Sequence, residues 1–386
     1  MSDRPDYISP QKLMAELMRY RKGSVTRRHF LGVTGLGMAT TVLGAAMPNL
    51  ITRPAFAAGS IGGNVVLATW PNDHHPASFE AFTAATGAAV HVNVFGSNEE
   101  MMAKLRAGGS GWDVFVPPDY HIATLVKEGI IDPLDMSKLP NYDLASFDPR
   151  FAGPGTFDGK VYAASKDWGT TGMAVNTSQT NGRVLNSWKD FWEITTAEFS
   201  GRTTVHDYQL TTIGNALKSF GYSFNSVDPA ELADAEKLLM EVKPHLFAIT
   251  SDYQPPMRSG DAWLAMCWTP DAWQLNNDVP EISYILGKEG GQIWSDFYAI
   301  PKSAPHPEAA YALINFLLDP AINYQEAMFH GQPVADTRVH AMMSAEMLAD
   351  PILNPAAELL SSLEFGAAAT LTDPNRAELM ARFKSA

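Results

Sequence analysis

Between residues 65 and 130 the chain alternates short apolar runs with helix-forming stretches three times over. VVLATW (65–70) reads as a buried strand, and PASFEAFTAATG (76–87) as a helix with Phe79 and Phe82 three apart and Gly87 to stop it. VHVNVF (90–95) alternates as a half-buried strand does. SNEEMMAKLRAGG (97–109) opens with Ser97 and Glu100 at capping-box spacing, carries Met101 and Leu105 on one face, and ends at Gly108. DVFVPP (113–118) predicts a third strand and IATLVKEGI (122–130) a third helix. Strands and helices in this order, joined by right-handed crossovers, bury their apolar faces as a parallel sheet flanked by helices. Ligands of such sheets lie beyond the carboxyl ends of the strands. That edge holds Trp70 with the PNDHH loop behind it, and Tyr120 of the PPDY loop.

Residues 132–159 carry Pro, Asn, Asp and Gly at turn positions, and VYAASKDWGTTGMAVN (161–176) resumes strand character around Trp168. A helical patch at 187–195, a strand at RTTVHD (202–207) and helices over 211–220 and 229–242 make a second α/β unit. PEAAYALINFLLDP (307–320) predicts a helix with Pro at its start and Asp319-Pro320 at its stop. The expected division is a first lobe of 58–169 plus about 270–303, and a second of 170–269 plus about 304–386. Two lobes with aromatic-rich connections imply a cleft that opens and closes about a hinge.

Ahead of these lobes, TRRHFLG (26–32) leads into LGVTGLGMATTVLGAAM, and RPAFA (53–57) closes the stretch with a small-x-small pattern. The Arg27-Arg28 pair followed by x-Phe-Leu resembles a twin-arginine export signal, so residues 1–57 are expected to be removed and the rest to reside in a bacterial periplasm. The formal charge is −14, and loss of this segment would take it to about −19. A surface so acidic repels nucleic acid and anionic lipid and attracts small cations. No run of eighteen apolar residues suggests a membrane span, and Cys267, the single cysteine, excludes an internal disulfide. A freely diffusing monomer is expected.

MCWTPDAWQ (266–274) sets Asp271 between Trp268 and Trp273. Two readings fit. The tryptophans pack a core while Asp271 faces water, or the carboxylate and the ring faces together hold an organic cation. Other candidates are weaker. His74-His75 beside Asp73 invites a metal, but adjacent side chains point apart and cannot easily share one ion. The glycines of 108–111 lack the lysine of a phosphate loop and the spacing of a nucleophile turn. No Ser or Cys stands at recognisable catalytic spacing from a His, so no catalytic residue, metal or cofactor is expected.

Taken in order, VVLATW, the SNE helix, DVFVPPDY, WGTTGMAVN, SWKDFW, FGYSFNSVDP, WTPDAWQ, KEGGQIWSDFYAIP and INFLLDP resemble the spermidine/putrescine-binding proteins of ABC importers over nearly the whole chain from residue 65 to about 333. The resemblance implies a two-lobed α/β periplasmic binding protein of type II, with carboxylates and stacked rings holding the ligand's amines and a membrane permease as partner. It implies binding roles for Trp70, Tyr120, Trp168, Trp268, Asp271, Trp273 and Asp296. Asp73 stands where the family often has an aromatic, and is added to the expected set. The chain also departs from the family pattern. Pro118 replaces a common hydroxyl, and Asp207 is the only acid in the second-lobe segment HDYQLTT. The far end of a long diamine is therefore not provided for, and an amino acid, a betaine or an opine-like ligand is the alternative, with Arg202 as its expected anchor.

Overall fold

In the computed structural model, residues 61–385 are described, and the expected export signal at 1–57 lies outside them. The opening alternation folds as its pattern dictates. Strand β1 (Asn64–Thr69) pairs in parallel with β2 (Ala89–Val94) on one side and with β3 (Val114–Phe115) on the other. Helix α1 (Pro76–Thr86) starts on Pro76 and is stopped by Gly87, whose φ of 76° needs no side chain in the way. Helix α2 (Asn98–Arg106) is capped by Ser97, whose hydroxyl accepts from the Glu100 N–H at 3.1 Å. The third strand is shorter than its sequence suggests. Pro117 and Pro118 have no N–H to give a ladder, so after Phe115 the chain makes only isolated bridges, Phe115 to Ala299 and Pro118 to Asp296. Helix α3 (Asp119–Lys127) follows at once, with Pro118 as its cap.

The hairpin of β4 (Thr156–Phe157) and β5 (Lys160–Val161) leads to the longest strand, β6 (Ala164–Asn176). It pairs antiparallel with β9 (Leu264–Trp268), β10 (Ile282–Ile285) and β11 (Gly291–Tyr298). Parallel pairs extend this sheet on both sides: β7 (Thr203–Val205) with β8 (Leu246–Ile249) and with β9, and β12 (Leu363–Phe365) with β11. Flanking helices include α4 (Trp188–Ala197), α5 (Gln209–Ser219), α6 (Pro229–Val242), α7 (Gln254–Ser259), α8 (Thr269–Asp278), α9 (Pro307–Leu317), α10 (Pro320–His330) and α11 (Pro374–Ser385).

Strands β6 and β11 serve both lobes. Ala164 and Trp168 lie in a core with Val65, Leu67, Phe82 and Val114, whereas Met173 and Val175 lie in another with Trp188, Phe191, Leu264 and Met266. At the crossing the strands run too close for a side chain. A Cβ on Gly169 would come within 2.4 Å of the Trp294 ring, and one on Gly172 within 2.6 Å of the Ile285 carbonyl.

The lobes are divided differently from the sequence expectation. Helix α9, expected in the second lobe, buries Ala309, Leu313, Ile314 and Leu317 against β1's core in the first. The segment around α8 and β10, expected in the first, packs Ala272, Leu275 and Ile282 with Tyr253 and Ala265 of the second. The chain returns to the first lobe along β11 itself. Strand pairing, which the apolar pattern does not reveal, decides where a crossing falls.

Candidate functional site

The site is built where β6 and β11 cross. Their register runs Trp294 to Gly169, Ser295 to Trp168 and Asp296 to Asp167, and then shifts so that Phe297 faces Ser165. Lys166 is the extra residue of this bulge. A bulge re-aims side chains that a regular pleat would send to opposite faces, and here Lys166 and Asp167 meet, the ammonium donating to the neighbouring carboxylate. Lys166 Nζ also donates to Asp73 Oδ1 at 2.8 Å. Asp73 stands on the loop after β1, turned there by Asn72 in a left-handed conformation with φ 57°, and its other oxygen accepts from the Thr69 hydroxyl. The same loop is pinned from behind, since the Glu326 carboxylate pairs with His74 Nδ1 at 2.7 Å and accepts from Ser78 and the His75 N–H.

Beside this cluster lie two further acids. Asp119, at the start of α3, accepts from the Ser295 N–H at 2.9 Å, and Asp296 faces Asp167 across the ladder. Among the described residues no donor reaches the Asp296 carboxylate. Asp73, Asp119, Asp167 and Asp296 are all at least nine-tenths buried, and Lys166 is the one ammonium among them. Carboxylates that are buried and crowded resist ionisation. Burial pushes Asp119 up to about 8. Burial, then the charges of Asp167 and Asp73, hold Asp296 well above the usual carboxylate range. Asp167 is pushed up to about 6 by burial against the pull of Lys166. Burial alone would discharge Lys166, but Asp167 and Asp73 more than offset it and keep the ammonium charged.

Rings stand around the acids. Trp294 lies over Gly169, Trp70 sets its edge against Phe95 with centroids 4.6 Å apart, and the indole N–H groups of both are buried without a protein acceptor. The Tyr120 hydroxyl accepts from Asn98 of the first lobe and from Tyr208 of the second, each at 3.1 Å, and its ring packs with Leu210 and Phe224 of the second.

The second lobe contributes differently. Thr269 accepts from the Thr170 N–H at 2.8 Å and so ties the start of α8 to β6 at the crossing. Asp271, in the first turn of α8, accepts from the Tyr253 hydroxyl at 2.6 Å and the Gln254 amide at 2.5 Å. Burial pushes its carboxyl up to about 6 while both donors pull it down. The Trp268 ring lies 4.2 Å from that of His206, whose imidazole burial holds down to about 3, hence neutral. Trp273 covers Gly331, next to Gln332, whose amide lies against Lys166 and Asp167.

Of the eight expected residues, Asp73 and Asp296 share the acid cluster, Tyr120 borders it, Trp70 packs on Phe95 at the end of β1, next to the Thr69 that holds Asp73, and Trp268, Asp271 and Trp273 stand on the second-lobe side. Trp168 departs from expectation. It stacks on Phe151 with centroids 4.2 Å apart and planes 9° apart, inside the first core. Successive strand residues face opposite ways, and with Asp167 turned to the acids Trp168 is turned from them. Asp207 is exposed and bonded to Ser251, and Arg202 is engaged with the Asp261 carbonyl and the Trp263 ring, so neither joins the cluster. Sequence reasoning missed Lys166, Asp167, Asp119 and Tyr208. The signal for the first two was present, since SKDW sets adjacent opposite charges inside an otherwise apolar strand. Among the described residues no group of three or more His, Cys, Asp or Glu is arranged to hold a metal ion. Cys267 is buried, its thiol raised by burial.

Two lobes on a shared strand pair, with acids and rings at the crossing, define a solute-binding architecture, and the chain belongs to the bacterial extracellular solute-binding proteins, whose family profile matches residues 77–353. It is similar to the spermidine/putrescine-binding periplasmic protein of Escherichia coli (strain K12), 33% identical over 298 residues that make up 77% of this chain and 84% of that one. Among solved structures it is similar to the spermidine/putrescine ABC transporter substrate-binding protein PotD of Streptococcus pneumoniae, with TM-score 0.72 and 26% identity over 84% of this chain and 99% of that one. The fold alone is shared with the binding protein MotA of A. tumefaciens, solved with glucopine (TM-score 0.67, 16% identity, 82% of this chain and 99% of that one).

Proposed function

We propose that this chain is the periplasmic solute-binding component of an ABC importer and captures a small organic amine of the putrescine and spermidine class between its lobes. One observation carries the reading: four buried carboxylates meet at the crossing strands and the protein supplies one ammonium to them. Buried charge without a partner is costly, so a cation from solution is the occupant that such a surplus favours. Trp70, Trp294 and Tyr120 would lie along its methylenes, and Asp271 would meet a further ammonium from the second lobe. Each well-placed ring adds about 0.5–2 kcal/mol of cation–π attraction, and micromolar binding needs about −8 kcal/mol in all. The ligand leaves unchanged, with no catalytic step. The twin-arginine segment would export the folded chain, which would act as a monomer and deliver to a membrane permease. The amino-acid alternative loses its expected anchor, because Arg202 is committed elsewhere. Titration calorimetry of residues 58–386 with putrescine and spermidine tests the proposal. Micromolar binding of either supports it, and absence of heat up to millimolar amine rejects it.

A further inference from the structure

We infer that Lys166 is a built-in substitute for one ammonium of the ligand and so sets how many charges the ligand carries. This rests on the amine-binding reading above and deepens it. The bulge after Asp296 places Lys166 out of the regular pleat, where its Nζ bridges Asp73 at 2.8 Å and touches Asp167, with the Gln332 side-chain amide beside them. The side chain is 3% exposed, so its charge answers to these groups and not to water. Two of the four first-lobe acids thereby share one cation supplied from within. Asp296, buried and without a donor among the described residues, is left for the ligand, with Asp119 behind it. Asp296 sits directly across from Asp167, and residues paired in this way have Cα atoms about 4.5–5.5 Å apart. An ammonium on Asp296 is therefore a near neighbour of the Lys166 ammonium, and a second ligand ammonium on the same side would meet like charge at short range in a water-poor setting.

It follows that amines with two ammonium groups or fewer suit this site better than triamines. The inference makes Lys166 a specificity residue. Its charge excludes the longer cation, and its removal re-creates an empty acid pair, Asp73 with Asp167, for an additional ammonium.

The test compares putrescine with spermidine by titration calorimetry on the mature chain and on Lys166→Met, with Lys166→Arg as the charge-retaining control. The wild type is expected to bind the diamine more tightly. Lys166→Met should shift the ratio of affinities toward spermidine by tenfold or more, and Lys166→Arg should keep the wild-type ranking. A wild type that prefers spermidine, or a Lys166→Met protein with an unchanged ratio, overturns the inference. Lys166→Gln, which keeps a donor to one carboxylate, replaces Lys166→Met if that variant does not fold, and the wild-type ranking is decisive even without either. A wild type that binds neither amine defeats the amine reading itself, a different outcome from binding with the wrong ranking.

Discussion

The two sides of the site hold the same functional group in opposite conditions. On the second lobe Asp271 is alone with two neutral donors, Tyr253 and Gln254, and its carboxyl is pushed up only to about 6, so it is ionised at neutral pH. On the first lobe Asp119 and Asp296 sit among other acids, one with a single backbone donor and one with none, and burial holds them at about 8 and well above the usual range. Neutral donors make an acid ready in advance, whereas burial, joined at Asp296 by the charges of Asp167 and Asp73, keeps an acid protonated in the absence of the proposed cation. The second lobe therefore presents a formed anion, and the first lobe a latent one.

The largest expected effect separates the two directly. Asp271→Asn and Asp296→Asn should each weaken putrescine binding tenfold or more in calorimetry, while their ligand-free proteins move in opposite directions. Asp296→Asn removes a crowded acid and should raise the melting temperature at pH 8. Asp271→Asn takes a carboxylate from two donors and should lower it. Equal melting shifts for the two variants would erase the contrast.

Next comes proton release. An ammonium favours the ionised carboxylate, so binding lowers the Asp119 and Asp296 values and expels protons. Affinity should rise by up to about tenfold per pH unit between pH 6 and 8 for each proton released, and binding heat should depend on the buffer's own ionisation heat. A flat profile would remove the latent anion from the first lobe.

The ligand-free protein should show the reverse trend. Carboxyls whose folded values are raised, Asp119 to about 8 and Asp271 and Asp167 to about 6, bind protons more tightly folded than unfolded. Their contribution is complete below about pH 4 and is lost as pH rises through 6 to 8. Thermal melts across that window should therefore fall with pH, and putrescine should restore the loss. The smallest effect belongs to Tyr208→Phe, which deletes the hydroxyl that donates to Tyr120 across the lobes. One such bond is worth about 1 kcal/mol, so affinity should drop roughly fivefold at most with the acid chemistry untouched.

Much of this was legible in the chain. The strand–helix rhythm of 65–130 gave the strands and helices of the first sheet, because apolar periodicity and caps such as Ser97 and Gly87 act locally. Asp271 stood out because an acid flanked by tryptophans is hard to place in an ordinary core, and Asp296 through the family resemblance. The acid–lysine cluster was not legible, for it depends on a register shift between β6 and β11, strands more than a hundred residues apart in sequence. Trp168 misled for a related reason. The family resemblance gave it a ring's role at the crossing, but which face it takes follows from the pleat and the bulge beside it. The lobe boundary at β11 was likewise hidden in pairing.

The shared ribbon of β6 and β11 carries one more consequence. Asp167 and Asp296 sit on the very strands that run from one half into the other, near the fulcrum of any swing between them, and such a swing scarcely displaces them. Tyr208, which reaches Tyr120 from the second lobe, travels with that lobe. A cation seated at the pivot would thus stay put while the outer contacts travel, turning a charge captured at a still point into movement at the rim, where another protein can feel it.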